Sequence, residues 1–205
     1  FISKFFIKNK SLIFNGVPFD IEKNKIKEQS TYPHFLFVSR IAHGKRHDIA
    51  IQAFDLFIKQ GGNGFLHFIG EGTNDSQFIK SFINFEQIAD NVFFHGQINN
   101  QCKIYNKGDV VLLISDFEAL PLSLIEGLSY SKPLIASDVG SVNEIVNENT
   151  GILLKSHNLE EISNSFHVMS SKIIRDKIAS QSLNHFHSKF SEDCIKKDIL
   201  KIYLK

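Results

Sequence analysis

The chain has 205 residues, 42% of them hydrophobic, and its 23 basic and 22 acidic side chains give a net charge of +1. That length and composition suit one α/β domain with a sizeable core, and the balanced charge provides no basic field for binding nucleic acid or an anionic membrane surface. No apolar run approaches the roughly 20 residues that span a bilayer. Cys102 and Cys194 have no metal-ligand spacing, which suits free thiols in a reducing cytosol.

Seven short apolar runs along the chain predict β-strands. Each run ends in a polar or glycine-containing loop and shows little alternation between apolar and polar side chains, which is typical of strands buried on both faces of a parallel sheet. The predicted strands are Leu12–Phe14, Phe35–Ser39, Phe65–Gly70, Val92–His95, Val110–Ser115, Leu134–Ser137 and Ile152–Leu154.

Helical periodicities fill several of the segments between these runs. An apolar stripe marks the first of them, and the pair Gly61 and Gly62 ends it. Strands cease after Leu154, and three helices follow. This alternation predicts an α/β fold, a doubly wound parallel sheet with a helical C-terminal tail. The predicted helices are His47–Gln60, Asp75–Phe85, Leu122–Tyr130, Leu159–Met169, Ile173–Phe186 and Glu192–Leu204.

Two cations follow the predicted strand Phe35–Ser39, because Arg40 and Lys45 lie five positions apart with Gly44 between them. In a doubly wound sheet, ligands sit at the C-terminal ends of the strands. A guanidinium and an ammonium on one such loop could hold a diphosphate. A solvated basic loop would show the same spacing, so the spacing alone leaves both interpretations open.

Two carboxylates flank the start of the predicted helix Leu122–Tyr130. Glu118 lies in the loop after a strongly apolar strand, Pro121 suits a helix start, and Glu126 follows roughly one and a half turns into the helix. Carboxylates accept hydrogen bonds from sugar and ribose hydroxyls, and a helix N-terminus attracts phosphate. Two ordinary surface glutamates are the alternative interpretation.

The other candidate motifs are weaker. Gly16, Gly70 and Gly140 lie in predicted loops, where glycine lets the backbone approach a ligand but also simply makes turns. The sequence contains neither Gly-x-Gly-x-x-Gly nor a phosphate-binding Gly-Lys-Ser/Thr loop. The histidines fit no common zinc spacing, so no metal site is predicted. The segment Asp116–Glu118 favours a strand-end turn over a metal-binding Asp-x-Asp motif.

The order of these motifs resembles the C-terminal domain of glycosyltransferase family 4, which has the GT-B fold, over nearly the whole chain. The most specific match is the Glu-x7-Glu pattern of Glu118 and Glu126. Ala119, Ser131 and Ser141 depart from glycines that are frequent in the family. The further matching segments are Phe14–Val17, Phe37–Asp48, Phe68–Gly72, Val92–Gly96 and Ser131–Gly140.

The resemblance implies a role for each matching residue. Arg40 and Lys45 would hold the donor diphosphate and stabilise its departure, Glu118 would contact the donor sugar, and Glu126 would accept hydrogen bonds from the nucleotide ribose. The family transfers sugars with retention of anomeric configuration and needs no essential metal or other cofactor. The remaining residues that the resemblance assigns to the donor pocket are Gly16, Gly70, His95, Gly96, Phe117, Ala119, Leu120 and Pro121.

The resemblance also implies an organisation for the whole enzyme. Residues 1–205 would be the Rossmann-like donor-binding domain of a UDP- or GDP-sugar-dependent hexosyltransferase of polysaccharide biosynthesis, acting in the cytoplasm on a glycan, lipid or protein acceptor. The N-terminal acceptor-binding domain is expected to lie outside this chain, and any membrane association would come through it. The apolar face of Glu192–Leu204 should then be partly exposed. A non-catalytic nucleotide-sugar-binding module and a GT-B-like sugar-nucleotide epimerase are the alternatives.

Overall fold

Six parallel strands form the centre of the computed structural model, which describes Phe14 and residues 16–18, 31–75, 77 and 88–204. The strand order is β3-β2-β1-β4-β5-β6, as in a doubly wound sheet. This confirms six of the predicted strands, whereas most of the predicted strand Leu12–Phe14 lies outside the described residues. The strands are β1 (His34–Val38), β2 (Phe65–Ile69), β3 (Val92–Phe94), β4 (Val110–Leu113), β5 (Leu134–Ser137) and β6 (Gly151–Leu154).

Six described helices surround this sheet, and five of them confirm predicted helices. The second, of five residues, was not predicted, and most of the predicted helix Asp75–Phe85 lies outside the described residues. Short 3-10 turns occur at Ala89–Asn91 and Val142–Glu144. The helices are α1 (His47–Lys59), α2 (Gln101–Tyr105), α3 (Leu122–Ser129), α4 (Leu159–Ser170), α5 (Lys172–Lys189) and α6 (Glu192–Tyr203).

Both faces of the sheet are covered because the strands are apolar on both sides. Phe35 of β1 is paired with Val110 of β4, so these two side chains share a face, while Val111 points to the other. On the first face, Phe35 packs against Phe166 of α4, and α4 packs on α1. On the other face, Gly127 lets α3 approach closely, since an added Cβ would lie 2.9 Å from Val111.

Helix α6 is amphipathic and presents apolar side chains to solvent. Ile195 is buried in the domain, whereas the outer part of the helix is not, and Tyr203 is 83% exposed. This exposure confirms the sequence-based expectation of a partly exposed apolar face. None of the described helices is long and apolar enough to cross a membrane. The exposed apolar residues of α6 are Ile199, Leu200, Ile202 and Tyr203, followed by Leu204.

The strand order reverses direction between β1 and β4, which are neighbours in the sheet. From β1 the chain builds outward through β2 and β3, and from β4 it builds the other way through β5 and β6. The connections after β1 and β4 therefore lead to helices on opposite faces of the sheet. A crevice opens at the C-terminal edge of the sheet where the two connections diverge. This crevice is where a doubly wound sheet binds its ligand.

Candidate functional site

The loops that follow β1 and β4 are joined by backbone hydrogen bonds at the crevice. Lys45 and Ser115 form an antiparallel bridge. The N–H of Arg46 donates to the carbonyl of Ile114 at 3.0 Å, and the N–H of Asp116 donates to the carbonyl of Gly44 at 2.8 Å. The sequence predicted both loops as candidate ligand-binding segments, and the structure places them side by side.

The side chains of Lys45 and Glu118 meet above this bridge. The Lys45 ammonium forms an ion pair with Oε1 of Glu118, and the hydroxyl of Ser115 donates to the same oxygen at 2.8 Å. Only 9% of the Glu118 side chain is exposed, so the pair fixes a carboxylate at the wall of the crevice. An ammonium has three N–H donors, which leaves two on Lys45 for an anion.

Arg40 lies on the same loop as Lys45 and is exposed. Among the residues that the structure describes, its guanidinium has no hydrogen-bond or ion-pair partner. Its five N–H donors are therefore free for a ligand such as phosphate. The two predicted cations are thus in different states, because Lys45 is held by a carboxylate and Arg40 is unpaired within the described part of the chain.

Glu126 projects from α3 toward α2. The hydroxyl of Tyr105 donates to its Oε2 at 2.7 Å, and the side-chain amide of Gln101 donates to its Oε1 at 2.8 Å. Burial raises the pKa of Glu126, although the hydrogen bonds from Tyr105 and Gln101 act in the opposite direction. Helix α3 itself begins at Leu122 without a side-chain cap, so no described side chain covers its first N–H groups.

Two glycines pack the neighbouring loops against these residues. Gly70, after β2, has a φ of 148°, and a Cβ there would collide with the carbonyl of Ser39 and lie 2.8 Å from the amide nitrogen of Arg40. Gly140, after β5, has a φ of 57°, and a Cβ there would collide with the carbonyl oxygen of Glu118. Both contacts require glycine because they bring backbone against backbone.

The loop after β3 reaches the same edge through Gly96, whose carbonyl accepts a 2.9 Å hydrogen bond from the N–H of Gly70. The ring of the preceding His95 turns toward the sheet. Its Nε2 lies 2.9 Å from Nδ1 of His67, and Nε2 of His67 lies 2.8 Å from Nδ1 of His34. We call these three stacked rings the histidine ladder. The ladder holds the His95 ring against β2, so the backbone around Gly96 is the part of this loop most free to contact a ligand.

The sequence model of the family described as glycosyl transferases group 1 matches residues 18–182 of the chain. The chain belongs to this family. The glycosyltransferase motifs at Arg40, Lys45, Glu118 and Glu126 all lie within the matched region. The match covers most of the chain and agrees with the GT-B C-terminal domain that the order of motifs predicts.

Named relatives and solved structures support the same assignment. The chain is 22% identical to a poly(ribitol-phosphate) alpha-N-acetylglucosaminyltransferase of Staphylococcus aureus over 98% of its length, and it spans 41% of that relative. It is 34% identical over 59% of its length to the O-antigen biosynthesis glycosyltransferase WbnH of Escherichia coli, of which it covers 33%. The chain thus spans less than half of each of these two relatives.

The fold agrees with solved glycosyltransferases. A crystal structure of an S. aureus TarM mutant in complex with fondaparinux, alpha-GlcNAc-glycerol and UDP superposes with a TM-score of 0.82, at 23% identity, over 98% of this chain and 41% of that one. Anabaena HepE in complex with UDP and glucose gives 0.76 at 20% identity, over 95% of this chain and 56% of that one. These likenesses establish the fold of the domain.

The remaining predicted site residues of this glycosyltransferase domain lie in two places. Phe117 is 65% exposed and packs over Gly44, where an added Cβ would lie 2.8 Å from its ring. Ala119 is exposed, Leu120 is half-buried and Pro121 is buried at the start of α3, so these residues form the loop between β4 and α3. Gly16 packs instead against α6, and its nearest described neighbours are atoms of Ile195 and Glu192.

A second network supports the loop after β4 and was not predicted. Arg46 donates to Oδ1 of Asp116 at 3.2 Å and to Asp48, and the hydrogen bond to Asp48 is the main reason that the pKa of Arg46 is raised. His157, after β6, lies 3.3 Å from the same Asp116 oxygen through Nδ1. Its Nε2 lies 3.1 Å from the carbonyl of Ser115. Arg46 could have been noticed as a third cation beside Lys45, but His157 stands 41 positions from Asp116 and shares no motif with it.

Proposed function

We propose that this domain binds the donor of a retaining glycosyltransferase, a nucleoside diphosphate sugar. The observation that carries the proposal is the ion pair of Lys45 and Glu118 at the switch point of the sheet. Arg40 lies on the same loop as Lys45 and has no partner among the described residues. A cation next to a carboxylate suits a ligand that has phosphate oxygens on one side and sugar hydroxyls on the other.

Each part of such a donor has a matching group in the crevice. Arg40 and the remaining donors of Lys45 would bind the diphosphate. The uncapped start of α3, which follows Glu118 in the chain, could contribute further N–H donors. Glu118 would accept hydrogen bonds from the sugar, and Glu126 from the ribose. The backbone around Gly96 would lie beside the base. We propose uridine as the base, because the TarM and HepE complexes named above contain UDP.

The chemistry would rest on stabilising the leaving group. The bond between the anomeric carbon and the diphosphate oxygen breaks, and the acceptor hydroxyl oxygen bonds to the same face of that carbon while its proton passes to the departing diphosphate. Negative charge develops on the departing diphosphate, where Arg40 and Lys45 would offset it. Cations that are held in place before the reaction are an effective source of such stabilisation.

Donor binding is proposed to need no metal ion. The two carboxylates on the loop after β4 already have cationic partners, since Glu118 is paired with Lys45, and Asp116 with Arg46. Nucleotide affinity should therefore be the same with and without a chelator. Affinity that disappears with chelator and returns with manganese would instead assign Asp116 and Glu118 to a metal.

We further propose that the acceptor is held by a second, N-terminal domain in a cytoplasmic enzyme. The chain spans 41% of the first relative named above and 33% of the second, which leaves room in both for such a domain. Holding two reactants together can contribute roughly 7–11 kcal/mol to the barrier reduction. Residues 1–205 alone should accordingly bind the donor without transferring its sugar. Transfer by this domain alone would contradict the proposal that a second domain holds the acceptor.

A thermal-shift panel tests the proposed ligand. UDP, GDP, ADP and their glucose conjugates would be added to the purified domain, and a ligand at 100 times its dissociation constant should add about 2.7 kcal/mol of stability. We expect stabilisation by UDP and its sugars and little by uridine, because the diphosphate carries the charge that Arg40 and Lys45 would bind. The absence of a response to any nucleotide would refute the proposal.

A further inference from the structure

The two oxygens of the Glu126 carboxylate have donors of different character, both from α2. Tyr105, which donates to Oε2, is fully buried, whereas Gln101, which donates to Oε1, is exposed. A buried hydroxyl on a rigid ring holds its partner in one place. An exposed amide on a flexible chain is easily replaced by another donor.

Several contacts fix Tyr105. Its ring stacks on Tyr130 with centroids 5.0 Å apart and planes 22° apart. Its hydroxyl lies 2.7 Å from Oε2 of Glu126 and 3.0 Å from the carbonyl oxygen of Ser123. The hydroxyl has one hydrogen for these two acceptors, and an ionised carboxylate forms the stronger bond. Burial and the charge of Glu126 raise the pKa of Tyr105, so the phenol keeps its proton and remains a donor.

We propose that Tyr105 is a positioning residue that holds the Glu126 carboxylate in place for the nucleotide ribose, and that Gln101 occupies Oε1 until a ribose hydroxyl replaces it. This proposal rests on the proposed function, because it assumes that Glu126 faces the ribose. Oε2 is turned inward by its bond to Tyr105. Oε1 is left on the exposed side of the helix pair, where a ligand can reach it.

Removing the Tyr105 hydroxyl and removing the Gln101 amide should then have opposite effects on UDP binding. Tyr105→Phe keeps the ring and its stacking but frees the carboxylate to rotate, and UDP affinity should fall about tenfold, the scale of one hydrogen bond to a charged group. Gln101→Ala removes a competitor for Oε1, so UDP should bind about twofold to fivefold more tightly, the scale of a weak surface hydrogen bond. Tighter binding after deletion of a polar side chain is not expected from a general loss of structure.

Calorimetric titration with UDP and with 2′,3′-dideoxy-UDP separates positioning from structural damage. The dideoxy ligand lacks the hydroxyls that Glu126 would accept, so wild type and Tyr105→Phe should bind it equally. In a Glu126→Ala background, Tyr105→Phe should have no further effect on UDP. Equal losses for both ligands, or a further loss in the Glu126→Ala background, would overturn the role of Tyr105.

The remaining outcomes distinguish this inference from the proposed function. Wild-type protein that binds neither UDP nor the dideoxy ligand would overturn the proposed function and this inference with it. Wild-type protein that binds both ligands equally would remove Glu126 from the ribose and overturn the positioning role, while nucleotide binding would stand. Wild-type preference for UDP together with unchanged affinity in Tyr105→Phe would retain the donor site and overturn only the positioning role. Weaker UDP binding in Gln101→Ala would show that Gln101 contacts the ligand itself and would overturn the exchange.

Discussion

The ammonium of Lys45 and the carboxylate of Glu118 are paired although they come from loops 73 positions apart in the chain. The backbone bridge between Lys45 and Ser115 brings the loops together, and the Ser115 hydroxyl donates to the same oxygen of the Glu118 carboxylate. Both groups are therefore in position before a ligand arrives. Arg40, on the same loop, is left without a described partner, so the two cations should respond differently to mutation.

Arg40→Ala should weaken UDP binding by roughly 1.5–3 kcal/mol, the scale of a hydrogen bond to a charged group. Uridine should bind as before, because it carries no phosphate. The free energy of unfolding should change by no more than about 0.5 kcal/mol, as for exposed residues without partners. Calorimetric titration measures the ligand affinities, and urea unfolding measures the free energy of unfolding. The charge control is Lys172→Ala, which removes an exposed cation from α5. Equal losses for UDP and uridine would show that Arg40 does not touch phosphate.

Lys45→Ala should both weaken UDP binding and destabilise the domain. Removing the ammonium leaves the Glu118 side chain, only 9% exposed, with Ser115 as its remaining described partner. We expect a loss of about 1–2 kcal/mol in the free energy of unfolding, less than for a fully buried pair because Lys45 is partly exposed. The double variant Lys45→Ala, Glu118→Gln should recover part of that stability but none of the UDP affinity. A double variant that is as unstable as Lys45→Ala would show that the loss does not come from the unpaired Glu118 carboxylate.

Glu126→Gln should stabilise the domain at neutral pH while weakening UDP binding. Because burial raises the pKa of Glu126, its ionised form costs more in the folded chain than in the unfolded chain. This cost appears as the pH rises above about 4.3, the unfolded value, and is complete above the raised folded value. The melting temperature of the variant should exceed that of wild type at pH 7.5 and match it near pH 4. A variant that melts earlier at pH 7.5 would contradict this account.

Gly140→Ala should be more damaging than Gly61→Ala, although both glycines have positive φ. A Cβ at Gly61 meets nothing within 4 Å, so that variant measures the conformational cost alone, about 1–2 kcal/mol. A Cβ at Gly140 collides with the backbone of Glu118, and overpacking should add about 1–3 kcal/mol and displace the loop. UDP-sugar binding should fall only in the Gly140 variant. Equal destabilisation in urea would show that the Gly140 loop moves aside freely.

The domain should lose stability in mild acid because of the histidine ladder. Burial, with His34, His95 and Lys107 nearby, lowers the pKa of His67 to about 3, whereas an unfolded histidine titrates near pH 6.5. The unfolded chain therefore binds the extra proton between these values, and stability falls by up to about 1.4 kcal/mol per pH unit as the pH decreases through this range. His67→Gln should reduce this slope in urea titrations from pH 7 to pH 4. The slope should not vanish, since the pKa of buried His47 is also lowered.

The sequence predicted the strands and the two loops at the crevice because both are local features. Apolar runs mark strands wherever they pair, and Arg40 and Glu118 each follow directly after such a run. The sheet edge that is proposed to bind the ligand also follows from strand direction alone. The apolar face of Glu192–Leu204 was predicted as well, although the burial of Ile195 depends on α6 packing against the domain.

Contacts between distant elements could not be predicted in the same way. His157 meets Asp116 only because β6 and β4 lie in one sheet, and the ladder of His34, His67 and His95 depends on the register of three strands. Helix α2 has five residues, which is too few for a 3.6-residue periodicity to appear. The donor that holds Glu126 was missed for that reason, since Tyr105 lies on this helix.

The tautomers of the three histidines in the ladder are coupled. Each of its two links joins Nδ1 of one ring to Nε2 of the next, and each link needs one N–H and one lone pair. Neutral His34, His67 and His95 must then all carry hydrogen on Nδ1 or all carry it on Nε2. A hydrogen bond that selects the tautomer of one of these histidines would therefore select that of the other two, and the three imidazoles change state together.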